Sequence, residues 1–458
     1  IDLVLQRSSL WPKRNSLMEF LEFSLKENII HKNYLPFNDN TKSDDFFTYI
    51  NDSLKDELGF YWLATKDGLY QFIPKNPKIS AISNGKMRGM AKSPDGTLAF
   101  ASEKFILLKS SDKETRVSLI KKMRRPFGLY FKNKDTLYIG SEYSGLYQMI
   151  DEKIQKAPKY FDFLNGFMIT KIFKDSSGLL WFVCRNKGIY AFNPKTRNYK
   201  LKENKNCQDL IETKPSEFAM AGKGFIETFS FKNNEFTNSK RFKNDYTIRS
   251  IKSHKDTIYY TTLYDGVKKL DKTSGKSSKI GKDLGLEDFT CYSLNIINSK
   301  VYIGTNDGLF LYDMKRKTSD RITKNEGLSN KEFNSYSDFF DKSTKQLYLG
   351  TQDGITRVNT DGIFIAQSEF EVYLRKITFV NSSGEKKEIL EPKLNKTIVF
   401  PPQSYQIVLE LASNDLRSPK KTGFLYAFDT EALIKSENSS SLMFPYLPEN
   451  SYYLSVKA

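Results

Sequence analysis

The sequence predicts an all-β protein: a β-propeller of eight blades, with seven as the alternative count, followed by an immunoglobulin-like β-sandwich. Three observations carry this. A strand–glycine–strand phrase recurs along residues 59–359 at intervals of 36 to 46 residues, and a period near 40 with several short strands per unit is that of a propeller blade. Aromatic residues make up 14% of the chain, with 35 Phe and 26 Tyr, and such side chains pack well on pleated sheets. Past about Asn359 the phrase stops, and short alternating segments separated by turn residues take over.

Residues 1–45 match no repeat. Within them Leu10–Asn28 reads either as a degenerate strand set that helps close the ring or as an amphipathic helix. The propeller is expected over residues 46–362. Its clearest copies are GFYWLATKDGLYQF (59–72), DTLYIGSEYSGLYQM (135–149), GLLWFVCRNKGIYAF (178–192), DTIYYTTLYDGVKKL (256–270), SKVYIGTNDGLFLYD (299–313) and KQLYLGTQDGITRVN (345–359); weaker ones are GTLAFASEKFILLKS (96–110) and SEFAMAGKGFIETFS (216–230). The loop glycines are Gly68, Gly145, Gly188, Gly224, Gly266, Gly308 and Gly354, with Lys104 in that place in the second copy. Such loops supply residues that tolerate the left-handed backbone of tight hairpins. The small residue late in Leu-Tyr-Ile-Gly-Thr suits a place where blades crowd together. Strand candidates upstream of the copies, 167–175, 246–253 and 289–297, are expected to line the central channel.

The remaining residues, 363–458, carry strand candidates at 370–380, 397–400, 405–412, 424–428, 442–444 and 452–456, separated by Asn381–Gly384, Pro401–Pro402, Ser418–Pro419 and Pro448–Ser451. Six or seven short strands in about 90 residues suit a small sandwich.

Composition narrows the function. The formal net charge is +17, which attracts acidic partners when it is clustered. Here the lysines are scattered, as on a solvated surface, and no helix–turn–helix, zinc-finger or RNA-recognition pattern points to nucleic acid. Cys184, Cys207 and Cys291 are odd in number and widely spaced, so neither a disulfide framework nor a CxxC site is supported, and Cys184 reads as a core residue. No run of about 18 apolar residues occurs, and no signal-peptide pattern opens the chain; by this reading the sequence is either cytosolic or a mature or trimmed fragment.

The repeat Trp62-Leu-Ala-Thr-Lys-Asp-Gly68-Leu-Tyr resembles that of the two-component regulator propellers, and Asn325-Glu-Gly-Leu-Ser-Asn-Lys-Glu-Phe-Asn334 resembles the lead-in to their last blade. The tail, with Phe424-Leu-Tyr-Ala-Phe-Asp429 and Leu447-Pro-Glu-Asn-Ser-Tyr-Tyr-Leu-Ser-Val-Lys-Ala458, is similar to the triple-tyrosine domain that follows such propellers. It departs from it in lacking a tryptophan after Asp429 and in carrying Asn450 where glycine is usual. The resemblance implies a periplasmic, membrane-tethered sensor, a homodimer in that family's manner, that binds an oligosaccharide and regulates glycan-use genes through an output domain outside this chain.

The search for chemistry finds no catalytic pattern. His31 and His254 have no ligand-spaced neighbours, and no zinc-protease, nucleophile-elbow or phosphate-loop motif occurs. No metal or cofactor is expected. Asp67, Asp265, Asp307 and Asp353 recur at one loop position, which suits turn chemistry better than paired-carboxylate catalysis. Binding is the better reading, because repeats place equivalent loops on one face. The candidates there are Arg88, Arg124, Arg125, Phe127, Tyr143, Arg185, Tyr246, Tyr264 and Phe333. Aromatic rings stack on sugars, and guanidinium groups offer forked donors to hydroxyls or carboxylates, so the expected ligand is an oligosaccharide or other small molecule, acidic ones included. The alternatives are a non-catalytic protein-interaction scaffold at the cell envelope and, behind it, a propeller lyase or hydrolase.

Overall fold

The computed structural model describes residues 31–36, 50–55, 61–65, 68–73 and most of 78–457. The expected segment Leu10–Asn28 lies outside the described residues. Two compact units divide the chain, residues 1–365 and 366–458.

The first unit contains a ring of seven blades. Blade 1 is Met87–Lys92, Leu98–Ser102, Phe105–Lys109 and Glu114–Ser118; blade 2 is Pro126–Phe131, Thr136–Ser141, Leu146–Ile150 and Lys153–Lys156; blade 3 is Met168–Lys174, Leu180–Arg185, Gly188–Phe192 and Tyr199–Glu203. Blades 4 and 5 share one long strand. Cys207–Lys214 pairs with the start of Glu217–Lys232, which doubles back so that Phe231 N–H donates to Ser216 O at 2.9 Å. Its second half pairs with the first half of Glu235–His254, whose second half opens blade 5 with Thr257–Thr262, Val267–Leu270 and Ser277–Lys279. Blade 6 is Cys291–Ile297, Lys300–Thr305, Gly308–Asp313 and Thr318–Ile322. Blade 7 is Phe333–Asp341, Gln346–Thr351 and Gly354–Asn359, completed by Ile79–Ala81 from the start of the ring.

Of the two counts expected, seven is the one the ring adopts. The first copy, around Trp62, forms a separate sheet with strand order His31–Pro36, Gly68–Ile73, Tyr61–Thr65, Ile50–Lys55. It is not interposed in the ring, because blades 7 and 1 touch directly. Asn334 Nδ2 donates to Met87 O at 2.8 Å, Ser337 Oγ donates to the same oxygen at 3.1 Å, and Lys92 meets Asp341 at 2.6 Å. The ring therefore starts at Ile79, and this three-residue strand closes it.

The second strand of each blade is buried on both faces because each sheet is covered on both sides. Leu347 and Leu349 pack with Tyr302, Leu309 and Leu311 of blade 6, while Tyr348 between them packs with Met87, Phe100 and Leu107 of blade 1. The small residue in the repeat has the reason expected of it: a Cβ on Gly350 would lie 2.7 Å from Met87 O and closer still to Ser337 Oγ. The hydroxyl that follows ties the hairpin. Ser141, Thr262, Thr305 and Thr351 donate to the carbonyls of Gly145, Gly266, Gly308 and Gly354 at 2.7, 2.8, 2.9 and 3.1 Å. The lead-in to blade 7 is held likewise, with Ser329 Oγ within 2.9 Å of Thr351 Oγ1 and 3.0 Å of Thr356 Oγ1. All three cysteines are buried free thiols, and burial pushes them up, Cys291 to about 12.

The second unit is two antiparallel sheets. One has the order Lys386–Leu390, Val372–Val380, Tyr405–Ser413, Ser441–Phe444; the other Ile434–Lys435, Leu425–Phe428, Leu454–Lys457. Their apolar faces share one core, in which Ile377, Leu409 and Phe444 meet Tyr426, Phe428 and Val456. Residues 397–400, expected as a strand, make none.

Candidate functional site

The lead-in to each innermost strand and the loop between its second and third strands share one end of the ring. Backbone hydrogen bonds show it: Glu142 N–H donates to Arg125 O at 2.9 Å, Leu263 N–H to Thr247 O at 3.2 Å, Asn306 N–H to Thr290 O at 3.2 Å and Gln352 N–H to Glu332 O at 3.0 Å. This end is the mouth of the channel, and most of the predicted residues border it.

Arg88, second in the innermost strand of blade 1, is half-buried, and its guanidinium lies 5.0 Å from the centre of the Phe127 ring. Burial lowers its pKa, since the charged form loses hydration. Arg125 is exposed and forks onto Glu142, Nε at 2.9 Å and Nη2 at 3.2 Å, with Glu103 at 3.8 Å. Arg124 is exposed, its N–H bound to Ser144 Oγ at 3.2 Å.

Tyr143 and Tyr264 stand at the tips of equivalent loops, 47% and 69% exposed, with φ of 55° and 68°. A bulky side chain in the left-handed region is costly; blade 3 uses Asn186 at that place, φ 66°. Two large exposed rings thus stand on strained backbone at this end of the ring, the kind of outlier that accompanies functional sites.

Two predicted residues are placed differently. Phe333 is 1% exposed and belongs to the wall between blades 6 and 7, because the apolar faces of Leu309 and Leu349 close over it. Tyr246 turns to the outer strands of blade 5, under Lys268 Nζ at 4.3 Å. Its hydroxyl hydrogen-bonds Asp265, which raises the phenol pKa. The loop acids Asp265, Asp307 and Asp353 are engaged structurally: Asp265 with Lys268 and Lys279 at 2.5 and 2.6 Å, Asp307 with Arg321, and Asp353 Oδ1 with Gly85 N–H at 3.0 Å.

The centre of the mouth is made by residues the repeat pattern did not single out. The Tyr336 hydroxyl bonds Gln208 Oε1 of blade 4, and Arg249 of blade 5 reaches both, Nη1 lying 3.2 Å from Gln208 Oε1 and 3.5 Å from the phenol. Arg185 and Arg88 act electrostatically on the same phenol from blades 3 and 1. Burial raises the Tyr336 pKa, opposed by Arg249 and Arg185. Beside them the Tyr292 hydroxyl donates to Glu332 Oε1 at 3.4 Å. Below the mouth lies a layer of ion pairs between innermost strands: Lys171–Asp209 at 2.7 Å and Lys252–Asp338 at 2.8 Å. Burial opposes the Lys252 charge, but Asp338 and Asp209 outweigh it and raise its pKa. Among the described residues no cluster of three or more His, Cys, Asp or Glu could hold a metal.

No family model matches the sequence, and no curated protein matches it. Solved structures do. The extracellular domain assigned to the hybrid two-component system BT3049 of B. thetaiotaomicron superposes with a TM-score of 0.61 at 14% identity, over 92% of this chain and 60% of that one. The chain has the fold of that domain. The extracellular domain assigned to the one-component system BT4673 of the same organism gives 0.50 at 15% identity, over 92% of this chain and 64% of that one. PorZ of Porphyromonas gingivalis, a surface component of the type-IX secretion system, gives 0.50 at 13%, over 83% and 64%. The chain spans three-fifths of the length of the first of these, 60%. Among the described residues no helix is long and apolar enough to cross a membrane.

Proposed function

We propose that the chain is the ligand-recognising part of an extracytoplasmic sensor in the bacterial periplasm, and that an oligosaccharide binds at the mouth of the propeller channel. The observation that carries this reading is the hydrogen-bonded cluster of Arg249, Gln208 and Tyr336, with Arg88 and Arg185 acting on the same phenol, at the end of the ring where Tyr143 and Tyr264 stand exposed on left-handed backbone. Rings present faces for sugars and guanidinium groups present forked donors. The fold likeness supports the sensing role, since the similar domains are described as extracellular parts of two-component and one-component systems. In the full-length protein, on this reading, binding shifts the propellers of a homodimer and the second unit passes that shift to a membrane helix, so that glycan-use genes respond. No step of this function requires catalysis by the chain.

The test is a thermal-shift screen of neutral and acidic oligosaccharides. A ligand at 100 times its Kd should stabilise the fold by about 2.7 kcal/mol, and the response should weaken about tenfold in Tyr264→Ala. A panel in which no oligosaccharide moves Tm sinks the proposal. The likeness to PorZ favours a second reading, a non-catalytic scaffold at the cell envelope; a stoichiometric protein partner retained on purification, with no small-ligand response, would select it.

A further inference from the structure

The half-buried lysines of the channel each reach a carboxylate: Lys92 reaches Asp341 at 2.6 Å, Lys171 reaches Asp209 at 2.7 Å and Lys252 reaches Asp338 at 2.8 Å. The arginines of the mouth do not. Among the described residues no carboxylate lies within ion-pair distance of Arg88, Arg185 or Arg249. The acids nearest Arg88, Glu103 and Glu142, are engaged by Arg125. The Nε atoms of Arg88 and Arg249 are buried without a hydrogen-bond partner. Arg249 spends its Nη1 on two neutral acceptors, Gln208 and Tyr336.

Like charges drawn to one place repel, and buried donors without acceptors cost stability. A fold that neutralises its channel lysines one by one has left Arg249 of blade 5 hydrogen-bonded to a single phenol, with Arg88 of blade 1 and Arg185 of blade 3 acting on it electrostatically.

We infer that Arg88, Arg185 and Arg249 form an oxyanion site around the Tyr336 hydroxyl, and that the saccharide recognised at the mouth carries a carboxylate or a sulfate. The inference rests on the ligand-recognition reading above and names its substrate class. The planar fork of a guanidinium matches both anions in two parallel hydrogen bonds. Bound there, the anion would accept from the two unpartnered Nε–H groups and offset the repulsion among the arginines, while the rings of Tyr143 and Tyr264 cover the uncharged part of the sugar chain. The net charge of +17 adds long-range attraction for such a ligand.

The test titrates the full chain with four probes: inorganic sulfate, a glucuronate oligomer, a sulfated oligosaccharide, and a neutral oligosaccharide of the same linkage. Sulfate should raise Tm of the wild type and lose most of that effect in Arg249→Ala and in Arg185→Ala, with the unliganded Tm of each variant as the folding control. One acidic saccharide should bind about tenfold or more tightly than the neutral one, and its affinity should fall as salt rises. Arg249→Lys should keep part of it. The glucuronate and sulfated arms tell carboxylate from sulfate. Equal responses to sulfate in the wild type and both alanine variants overturn the site. Neutral and acidic saccharides binding alike overturn the substrate class while leaving saccharide recognition intact. Arginine-dependent sulfate binding with no saccharide bound leaves the oxyanion site standing and removes the oligosaccharide reading.

Discussion

The mouth of the channel and the layer just below it are both lined by charged side chains on the innermost strands, and they treat charge in opposite ways. Below, each lysine is matched: Lys171 lies on Asp209, and Lys252 on Asp338, with Asp209 also acting on Lys252. At the mouth, Arg88, Arg185 and Arg249 act on Tyr336 with no carboxylate at ion-pair distance from them among the described residues, and Tyr143 and Tyr264 stand on left-handed backbone. The lower layer ties blades 3, 4, 5 and 7 together; the mouth holds groups that make the isolated fold less stable than it could be. That contrast separates a structural layer from the surface proposed to bind ligand.

The comparison breaks most sharply at Asp209. Its side chain is 8% exposed, and it accepts from Lys171 Nζ at 2.7 Å, Leu210 N–H at 2.8 Å and Ile251 N–H at 3.0 Å. Asp209→Ala leaves a half-buried cation and a buried donor uncompensated, a loss expected to cost about 3–5 kcal/mol. Urea denaturation measures it. A loss below about 1 kcal/mol would mean that the lower layer is not the structural one.

The blades were legible in the sequence because hairpin chemistry is local: the loop glycines and the small residue at the crowded strand end both fall within one repeat. The blade count was not, because closure depends on a distant pairing. Ile79–Ala81 has three residues and no pattern, whereas the copy at Trp62 reads as well as any other and still forms its own sheet. Tyr336 was hidden for a different reason. It sits at φ 61° inside the irregular stretch where the register of Phe333–Asp341 slips between Phe333 and Asp338, and a slip reverses which side chains face inward. The same register problem misplaced Phe333. Arg249 carried a usable signal. In Ile248-Arg249-Ser250-Ile251-Lys252 the isoleucines are buried, so a charged residue between them on an innermost strand points to the channel.

Acid should act on the paired carboxylates and spare the arginines at the centre of the mouth. Lys268, Lys279 and Tyr246 hold Asp265 down to about 2 against the burial that would raise it, from an ordinary 3.8, and Lys92, Thr344 and Ser343 hold Asp341 well below its usual range against the same opposition. A carboxyl depressed in the folded state stabilises the fold above its unfolded pKa and loses that contribution as pH falls through the folded one. For Asp265 the window runs from about pH 4 down to about pH 2, and the contribution at neutral pH is about 2 kcal/mol. Tm followed from pH 6 to pH 2 should fall less steeply in Asp265→Asn than in the wild type, while Arg249→Met should run parallel to the wild type because no carboxylate pairs with it. Parallel curves for Asp265→Asn and the wild type would remove the rim carboxylate from the account.

The smallest effect is the one that sharpens the contrast most, because its sign is unusual. Tyr264 is 69% exposed at φ 68°, while Asn186 at the equivalent loop tip of blade 3 has φ 66°. Asparagine enters this backbone region far more readily than tyrosine. Little packing is lost when so exposed a ring is removed, so Tyr264→Asn should raise stability by about 0.5–1 kcal/mol while weakening saccharide binding. Differential scanning calorimetry and a binding titration on the same sample read the two effects together. A variant that is both less stable and unchanged in binding would mean that the tyrosine is there to pack, and the mouth would then differ from the lower layer in its arginines alone. A gain in stability with a loss in binding would show a position where the chain keeps a costly residue because of what it contacts outside the fold.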